Sequence, residues 1–263
     1  MSENKVSRRS FVKLGAGGAI LGVAAVTGLS ALAQYNRNWN QTVSQENYEW
    51  DAHQWGFIVN TEECIGCGRC LKACKIENNV PMQPHTNRTW VERYVIDEKG
   101  EAHVDSPDAG INGFDDTAKK YPDMKIEQSF FVPKLCNQCE NTPCVQVCPV
   151  AATYKTKDGV VLIDQDRCVG CRYCIQACPY SARYFHPEKG VADKCTWCYH
   201  RITKGLDPAC VEVCPVGARK FGNLKDPESP IKEIMKKERV GVLKPDLGTR
   251  PKVYYVGLTK EVV

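Results

Sequence analysis

Sixteen of the 263 residues are cysteine, and that many thiols must serve as a disulfide framework, as metal ligands or as redox machinery. They fall into four groups of four. The first, Cys64-x2-Cys67-x2-Cys70-x3-Cys74, and the third, Cys168-x2-Cys171-x2-Cys174-x3-Cys178, share one spacing. The second, Cys136-x2-Cys139-x4-Cys144-x3-Cys148, and the fourth, Cys195-x2-Cys198-x11-Cys210-x3-Cys214, are stretched before their third cysteine. All four open on Cys-x2-Cys and close on Cys-x3-Cys, so the chain carries an internal repeat. Three continue as Cys148-Pro149-Val-Ala-Ala152, Cys178-Pro179-Tyr-Ser-Ala182 and Cys214-Pro215-Val-Gly-Ala218, whereas Lys75 follows Cys74.

The spacing discriminates among the three chemistries. A disulfide scaffold has no reason to recur as four tetrads with the same opening and closing. Zinc sites made of paired Cys-x2-Cys do not call for a third cysteine at a further two-residue gap and a fourth one helical turn on. Three thiolates at two-residue gaps wrap three corners of a cuboidal iron-sulfur cluster, and a cysteine four positions further along a helical turn points at a neighbouring cluster. The tetrads therefore predict four [4Fe-4S] clusters with all sixteen cysteines as ligands. A c-type haem requires Cys-x-x-Cys-His, and Cys195-Thr-Trp-Cys198 is followed by Tyr199. The five histidines show no ligand spacing among themselves, and neither an acid–base pair nor an open metal site is visible, so electron transfer is expected rather than catalysis by this chain alone.

Short elements must position these loops. Strands are expected at Phe57 to Val59, Thr153 to Tyr154, Val160 to Ile163 and Arg183 to Phe185, with a hairpin around Asp158-Gly159. A cysteine-free insert over 75–131 carries a strand candidate from Trp90 to Ile96 and an Asp/Gly-rich loop. There Trp90, Arg93 and Tyr94 are read as lining a hairpin rather than docking a partner. The tail over 229–263 has a charged helical piece (Ile231 to Arg239) and an apolar run (Val253 to Leu258). Lys134, Arg167, Arg172, Arg183, Lys194 and Arg201 lie near the tetrads, as counter-charges to anionic clusters or as ordinary surface charge.

The net charge of +4 excludes a nucleic-acid footprint, because residues 1–33 supply +3 of it and leave +1 for the rest. Those first residues contain Ser7-Arg8-Arg9-Ser10-Phe11 and then an uncharged apolar run to Ala33, which resembles a twin-arginine export signal. Cleavage after Ala31-Leu32-Ala33 starts the mature chain near Gln34, and retention of the run as an anchor is the alternative. Residues 34–56 read as an extended aromatic arm.

From Cys64 to Leu224 the sequence resembles the four-cluster iron-sulfur subunit of the complex iron-sulfur molybdoenzymes, which include polysulfide, tetrathionate and dimethyl sulfoxide reductases. The matching text is Ala73-Cys74-Lys-Ile-Glu77-Asn78-Asn79-Val-Pro81, Leu135-Cys136-Asn-Gln-Cys139-Glu140-Asn-Thr-Pro143-Cys144, Asp164-Gln-Asp166-Arg-Cys168 and Asp193-Lys194-Cys195-Thr-Trp-Cys198. The resemblance implies an α+β fold of two interleaved bacterial-ferredoxin-like modules, 57–74 with 190–228 and 132–189. It also implies the cluster sets Cys64, Cys67, Cys70 with Cys214; Cys195, Cys198, Cys210 with Cys74; Cys136, Cys139, Cys144 with Cys178; and Cys168, Cys171, Cys174 with Cys148. It further implies a catalytic partner subunit, molybdopterin-dependent, and a quinone-interacting membrane subunit, with the chain on the periplasmic, exported side of the membrane. The alternatives are the iron-sulfur subunit of a hydrogenase, formate dehydrogenase or Dsr-type complex, and a free soluble polyferredoxin.

Overall fold

Strand β1 (Trp55–Asn60) is almost wholly buried, as a continuous apolar run covered on both faces should be. In the computed structural model, which describes residues 48–83 and 85–262, it pairs antiparallel with β9 (Arg219–Asn223) and parallel with β11 (Val253–Val256). β10 (Val240–Gly241) extends the sheet beyond β11. The apolar run of the tail is thus a neighbour of β1. One face, with Ile58 and Val256, packs on Ile231 of helix α7 (Pro230–Lys237), the charged helical piece of the tail. On the other face, Phe57 and Phe221 pack around Trp197 in the fourth tetrad loop. Register fixes what else faces inward: Val59 sits opposite Arg219 and Tyr255, so Arg219 points toward the cysteine loops.

The insert builds a separate antiparallel sheet, β3-β2-β4, from β2 (Thr89–Asp97), β3 (Ala102–Asp105) and β4 (Ile126–Leu135). Between β3 and β4 the short helix α2 (Thr117–Lys120) is capped by the Asp116 carboxylate. Arg93 is buried there, bidentate on Asp105 at 2.8 Å and flanked by the Phe114 and Tyr121 rings, while Tyr94 stacks on Phe130. Trp90 donates to Glu92 at 2.7 Å. These side chains line the hairpin, as expected. Two further hairpins pair β5 (Thr153–Lys155) with β6 (Val161–Ile163) around Asp158-Gly159, and β7 (Arg183–Phe185) with β8 (Ala192–Lys194). The signal region and the arm up to residue 47 lie outside the described residues. At the arm's end, Tyr48 donates to Asp158 at 2.6 Å and His53 stacks between Tyr48 and Trp55.

The tetrads share one backbone device. The residue before the second cysteine has positive φ in all four: Gly66 (65°), Gln138 (45°), Gly170 (68°) and Trp197 (56°). A left-handed residue inside a tight loop turns successive N–H groups to one side, which makes a concave site for anionic sulfur. Only two of the four are glycine. Gln138 and Trp197 are held in that conformation by near-complete burial. The Cys-Pro-x-x-Ala continuation has the same logic, because Ala151, Ser181 and Gly217 all have positive φ and are followed by the buried Ala152, Ala182 and Ala218.

The insert closes over the first tetrad. A Cβ on Gly68 (φ 72°) would meet the carbonyl oxygens of Gly110 and Ile111 at 2.4 Å, whereas one on Gly100 (φ 77°) meets nothing within 4 Å. Both glycines carry the left-handed penalty and only one carries the clash. Gly68→Ala is therefore expected to destabilise by about 1–3 kcal/mol more than Gly100→Ala, an overpacking cost. Comparing the temperatures at which the two variants lose visible cluster absorbance checks this.

Candidate metal centres

Each tetrad contributes a loop and the short helix that follows it. Helix α1 (Arg69–Glu77) carries Cys70 and Cys74, α3 (Pro143–Gln146) carries Cys144, α4 (Tyr173–Gln176) carries Cys174, and α6 (Ala209–Glu212) carries Cys210. In the stretched fourth tetrad a further turn of helix, α5 (Tyr199–Ile202), follows Cys198 directly. α1 packs on α6 and α3 on α4, so the first tetrad meets the fourth and the second meets the third. All sixteen cysteines are free thiols.

The thiols gather accordingly. Cys74, Cys195, Cys198 and Cys210 line one cavity. Cys139 lies among Cys136, Cys144 and Cys178. Cys64 neighbours Cys70 and Cys214, and Cys174 neighbours Cys168. Cys67 stands on the loop between Cys64 and Cys70, and Cys171 is exposed on the loop between Cys168 and Cys174. Cys148 lies two residues beyond α3, where its sulfur accepts from the Thr153 N–H at 3.4 Å.

Electrostatic contact also links one gathering to the next. Cys210 faces Cys70, Cys195 faces Cys136, and Cys174 faces Cys144. The four gatherings therefore run in one line, with a junction inside each module and one between the modules. At the inter-module junction, Gln138 bridges by donating to the Cys195 carbonyl at 3.0 Å and accepting from the Val161 N–H at 2.7 Å.

Burial first, and then the mutual repulsion of thiolates, pushes these thiols up: Cys64 to about 11, Cys139 to about 12 and Cys195 to about 12, with Cys74 and Cys210 also well above the ordinary thiol range. Without a cation to take the charge, such groups stay protonated. Iron in a cluster supplies that cation, so the donor set fits the cofactor its spacing predicts. Cys148 differs. Burial raises it, but the backbone N–H groups of Thr153, Val150 and Ala152 outweigh this and hold it below the usual value.

Two models of a 4Fe-4S dicluster domain match the chain, over residues 63–152 and 127–224. A tetrathionate reductase subunit of Salmonella typhimurium is 42% identical over 208 residues, covering 78% of this chain and 73% of the relative. A tetrathionate reductase subunit of Archaeoglobus fulgidus is 46% identical, covering 77% and 82%. One of the polysulfide reductase chains of Wolinella succinogenes is 38% identical, covering 78% and 95%. The chain belongs to the iron-sulfur electron-transfer subunits of this reductase family. Its fold is the α+β, ferredoxin-like dicluster type, it binds [4Fe-4S] clusters, and among the described residues no helix is long and apolar enough to cross a membrane.

Of the six cations named from the sequence of this iron-sulfur subunit, Arg183 and Lys194 face thiols. Lys134 pairs with Glu92, Arg167 with Asp164, and Arg201 with Glu77 and Glu212, while Arg172 lies over the Phe185 ring. Three residues at the sites escaped that reading. Arg219 faces Cys70, Cys210 and Cys64. Arg88 lies beside Cys74, bidentate on Asp193 at 2.9 and 3.0 Å. Asn78 aims Nδ2 at the Cys198 and Cys74 sulfurs, 3.5 and 3.7 Å away, and accepts from Arg88 at 3.0 Å. The repeat signals one of them, since Ala182-Arg183 and Ala218-Arg219 follow the Cys-Pro turns in the same register.

The Arg88–Asp193 pair is buried, and breaking such a pair by removing one partner costs about 3–5 kcal/mol. Asp193→Asn is expected to lose that much stability, read as a lower temperature of cluster loss in the holo-protein. Lys125→Ala, at the exposed pair with Glu98, is expected to change it by less than about 0.5 kcal/mol.

Proposed function

We propose that this subunit holds four [4Fe-4S] clusters and relays electrons through them between a catalytic, molybdopterin-dependent subunit and a quinone-interacting membrane subunit. The ligands are Cys64, Cys67, Cys70 and Cys214; Cys74, Cys195, Cys198 and Cys210; Cys136, Cys139, Cys144 and Cys178; and Cys148, Cys168, Cys171 and Cys174. Bound clusters supply one-electron redox chemistry. The chain's own part is to space the sites, exclude water with Phe57, Trp197 and Phe221, and aim the Asn78 amide and the Trp197 and Thr153 N–H groups at ligand sulfurs.

The observation that carries this reading is the linear adjacency of the four thiol gatherings, which makes a path with two distinct ends. At the end built on the first tetrad, Ile65 beside Cys64 and Val216 beside Cys214 expose large apolar side chains. At the other end Val147, Val150, Val169 and Tyr173 do so around Cys148 and Cys171. Apolar surface beside both terminal sites supports bound partners over a free carrier. By resemblance, the first end faces the catalytic subunit and the other the membrane. The relatives are each named as one component of a tetrathionate or polysulfide reductase, which supports membership of a multi-subunit reductase over the hydrogenase, formate dehydrogenase and Dsr-type settings. Export on the twin-arginine route delivers a folded protein, which allows cluster insertion in the reducing cytoplasm before transport.

Anaerobically purified holo-protein is expected to contain about 16 iron and about 16 acid-labile sulfide per chain and to co-purify with two other subunits. About half that iron, stoichiometric zinc, or a chain that purifies alone would sink the reading. The export step is tested separately by replacing both Arg8 and Arg9 with Lys. That variant is expected to stay in the cytoplasm with its clusters loaded, and normal export of it would refute the twin-arginine route.

A further inference from the structure

Several buried or nearly buried cations of this subunit have a carboxylate. Arg88 has Asp193, Arg93 has Asp105, Lys134 has Glu92 and Lys252 has Glu140. Four others have none among the described residues: Lys75, beside Cys74, donates to the carbonyl oxygens of Pro81 and Thr86, and the remaining three lie where tetrads meet. Arg219, Lys194 and Arg183 are 1%, 0% and 5% exposed, and among the described residues none forms an ion pair with a carboxylate. Arg219 donates through Nη2 to Thr89 Oγ1 at 2.9 Å, and its buried Nη1 has no hydrogen-bond partner. Arg183 reaches Thr153 Oγ1 through Nη1 at 3.4 Å, and its Nη2 is likewise orphaned. Lys194 Nζ donates to the carbonyl oxygens of Cys195, at 2.9 Å, and Val161. A buried charge without a counter-charge is among the costliest features a core can carry, so the matching anion must come from elsewhere.

Their places in the fold say where. Sheet register puts Arg219 on the inner face of β9 opposite Val59, where it meets Cys64 and Cys70 on one side and Cys210 on the other. Arg183, at the same offset after its Cys-Pro turn, opens β7 and meets Cys136 and Cys144 on one side and Cys174 on the other. Lys194, the register partner of Arg183 on β8, sits against Cys195, whose thiol faces Cys136 across the module boundary. Each junction along the line of cysteine gatherings therefore holds one buried cation, and each gathering borders at least one.

We infer that Arg219, Lys194 and Arg183 are shared counter-charges, one at each of the three junctions, that set the potentials of the two clusters flanking them together. The proposal rests on the four-cluster ligand assignment above. Its physical content is specific. Two anionic clusters side by side repel, so reducing one makes its neighbour harder to reduce, and a cation between them offsets that repulsion for both. A cation belonging to one cluster would tune that cluster alone. A cation at the boundary moves a pair, and it keeps neighbouring sites close enough in potential for an electron to pass either way.

The test is an EPR-monitored redox titration of the purified holo-complex, with iron and sulfide measured on every sample. Arg219→Gln is expected to move the two centres of the first module, and only those, to more negative potential. Arg219→Lys, which keeps the charge, is expected to show less than half that shift. Arg183→Gln is expected to move the two centres of the second module instead, and it carries the test if Arg219→Gln fails to load its clusters. With all four clusters loaded, unmoved potentials, a shift confined to one centre, a uniform shift of all four, or a Lys variant as displaced as the Gln variant would each overturn the shared counter-charge. Fewer than four clusters in the unaltered protein would overturn the ligand assignment beneath it, which the metal analysis reports separately.

Discussion

A lone thiolate is costly to bury, and this protein brings sixteen cysteines together with six of them buried. Holding that charge out of water shapes most of the architecture around it. The loops are tight and left-handed at the residue before each second cysteine, because backbone N–H groups are the nearest dipoles available. The core that would otherwise be leucine and valine is given over to cysteine sites, so the apolar packing is pushed outward into Phe57, Trp197 and Phe221 on one face of the β1 sheet and Ile58, Val256 and Ile231 on the other. Cations follow the charge inward.

The same constraint separates the parts of the sequence that could be read from those that could not. Ligand spacing is local, so the four tetrads, their helical turns and the hairpin around Asp158-Gly159 were legible from residue types alone. Register between distant segments is not local. The Val253 to Leu258 run announced an apolar segment, yet nothing in it says that it lies parallel to β1, nearly the length of the described chain away. Arg219 shares with Arg183 its offset after a Cys-Pro turn, but its role depends on a strand pairing that points it inward, which is not local. Gln138 and Trp197 hid differently, since glycine is the usual mark of a left-handed residue and burial does the work of glycine there. The insert read as a cysteine-free interruption, whereas it covers the first tetrad closely enough that Gly68 has no room for a methyl group.

Arranged in a line, the four gatherings give the subunit a direction that neither tetrad spacing nor fold class conveys. Cys70 to Cys210, Cys195 to Cys136 and Cys144 to Cys174 are the places where one gathering meets the next. The middle junction crosses between modules, where Gln138 and Lys194 tie the Cys195 loop to β6. A rigid junction suits a relay, in which distance must not fluctuate. The ends are different in kind, with apolar side chains exposed beside them.

The interleaving of the modules also imposes a timetable on synthesis. The second module draws all its cysteines from one stretch of chain, Cys136 to Cys178, and can close as soon as that stretch leaves the ribosome. The first begins earlier and finishes last. Its opening cysteine, Cys64, waits for Cys214, and its central strand β1 waits for β9 and then for β11. Closing so long a loop is slow relative to local pairing. The first tetrad thus stays open until well after the second module has been made, and β11, the later of the two partners of β1, becomes the latch on the first site begun.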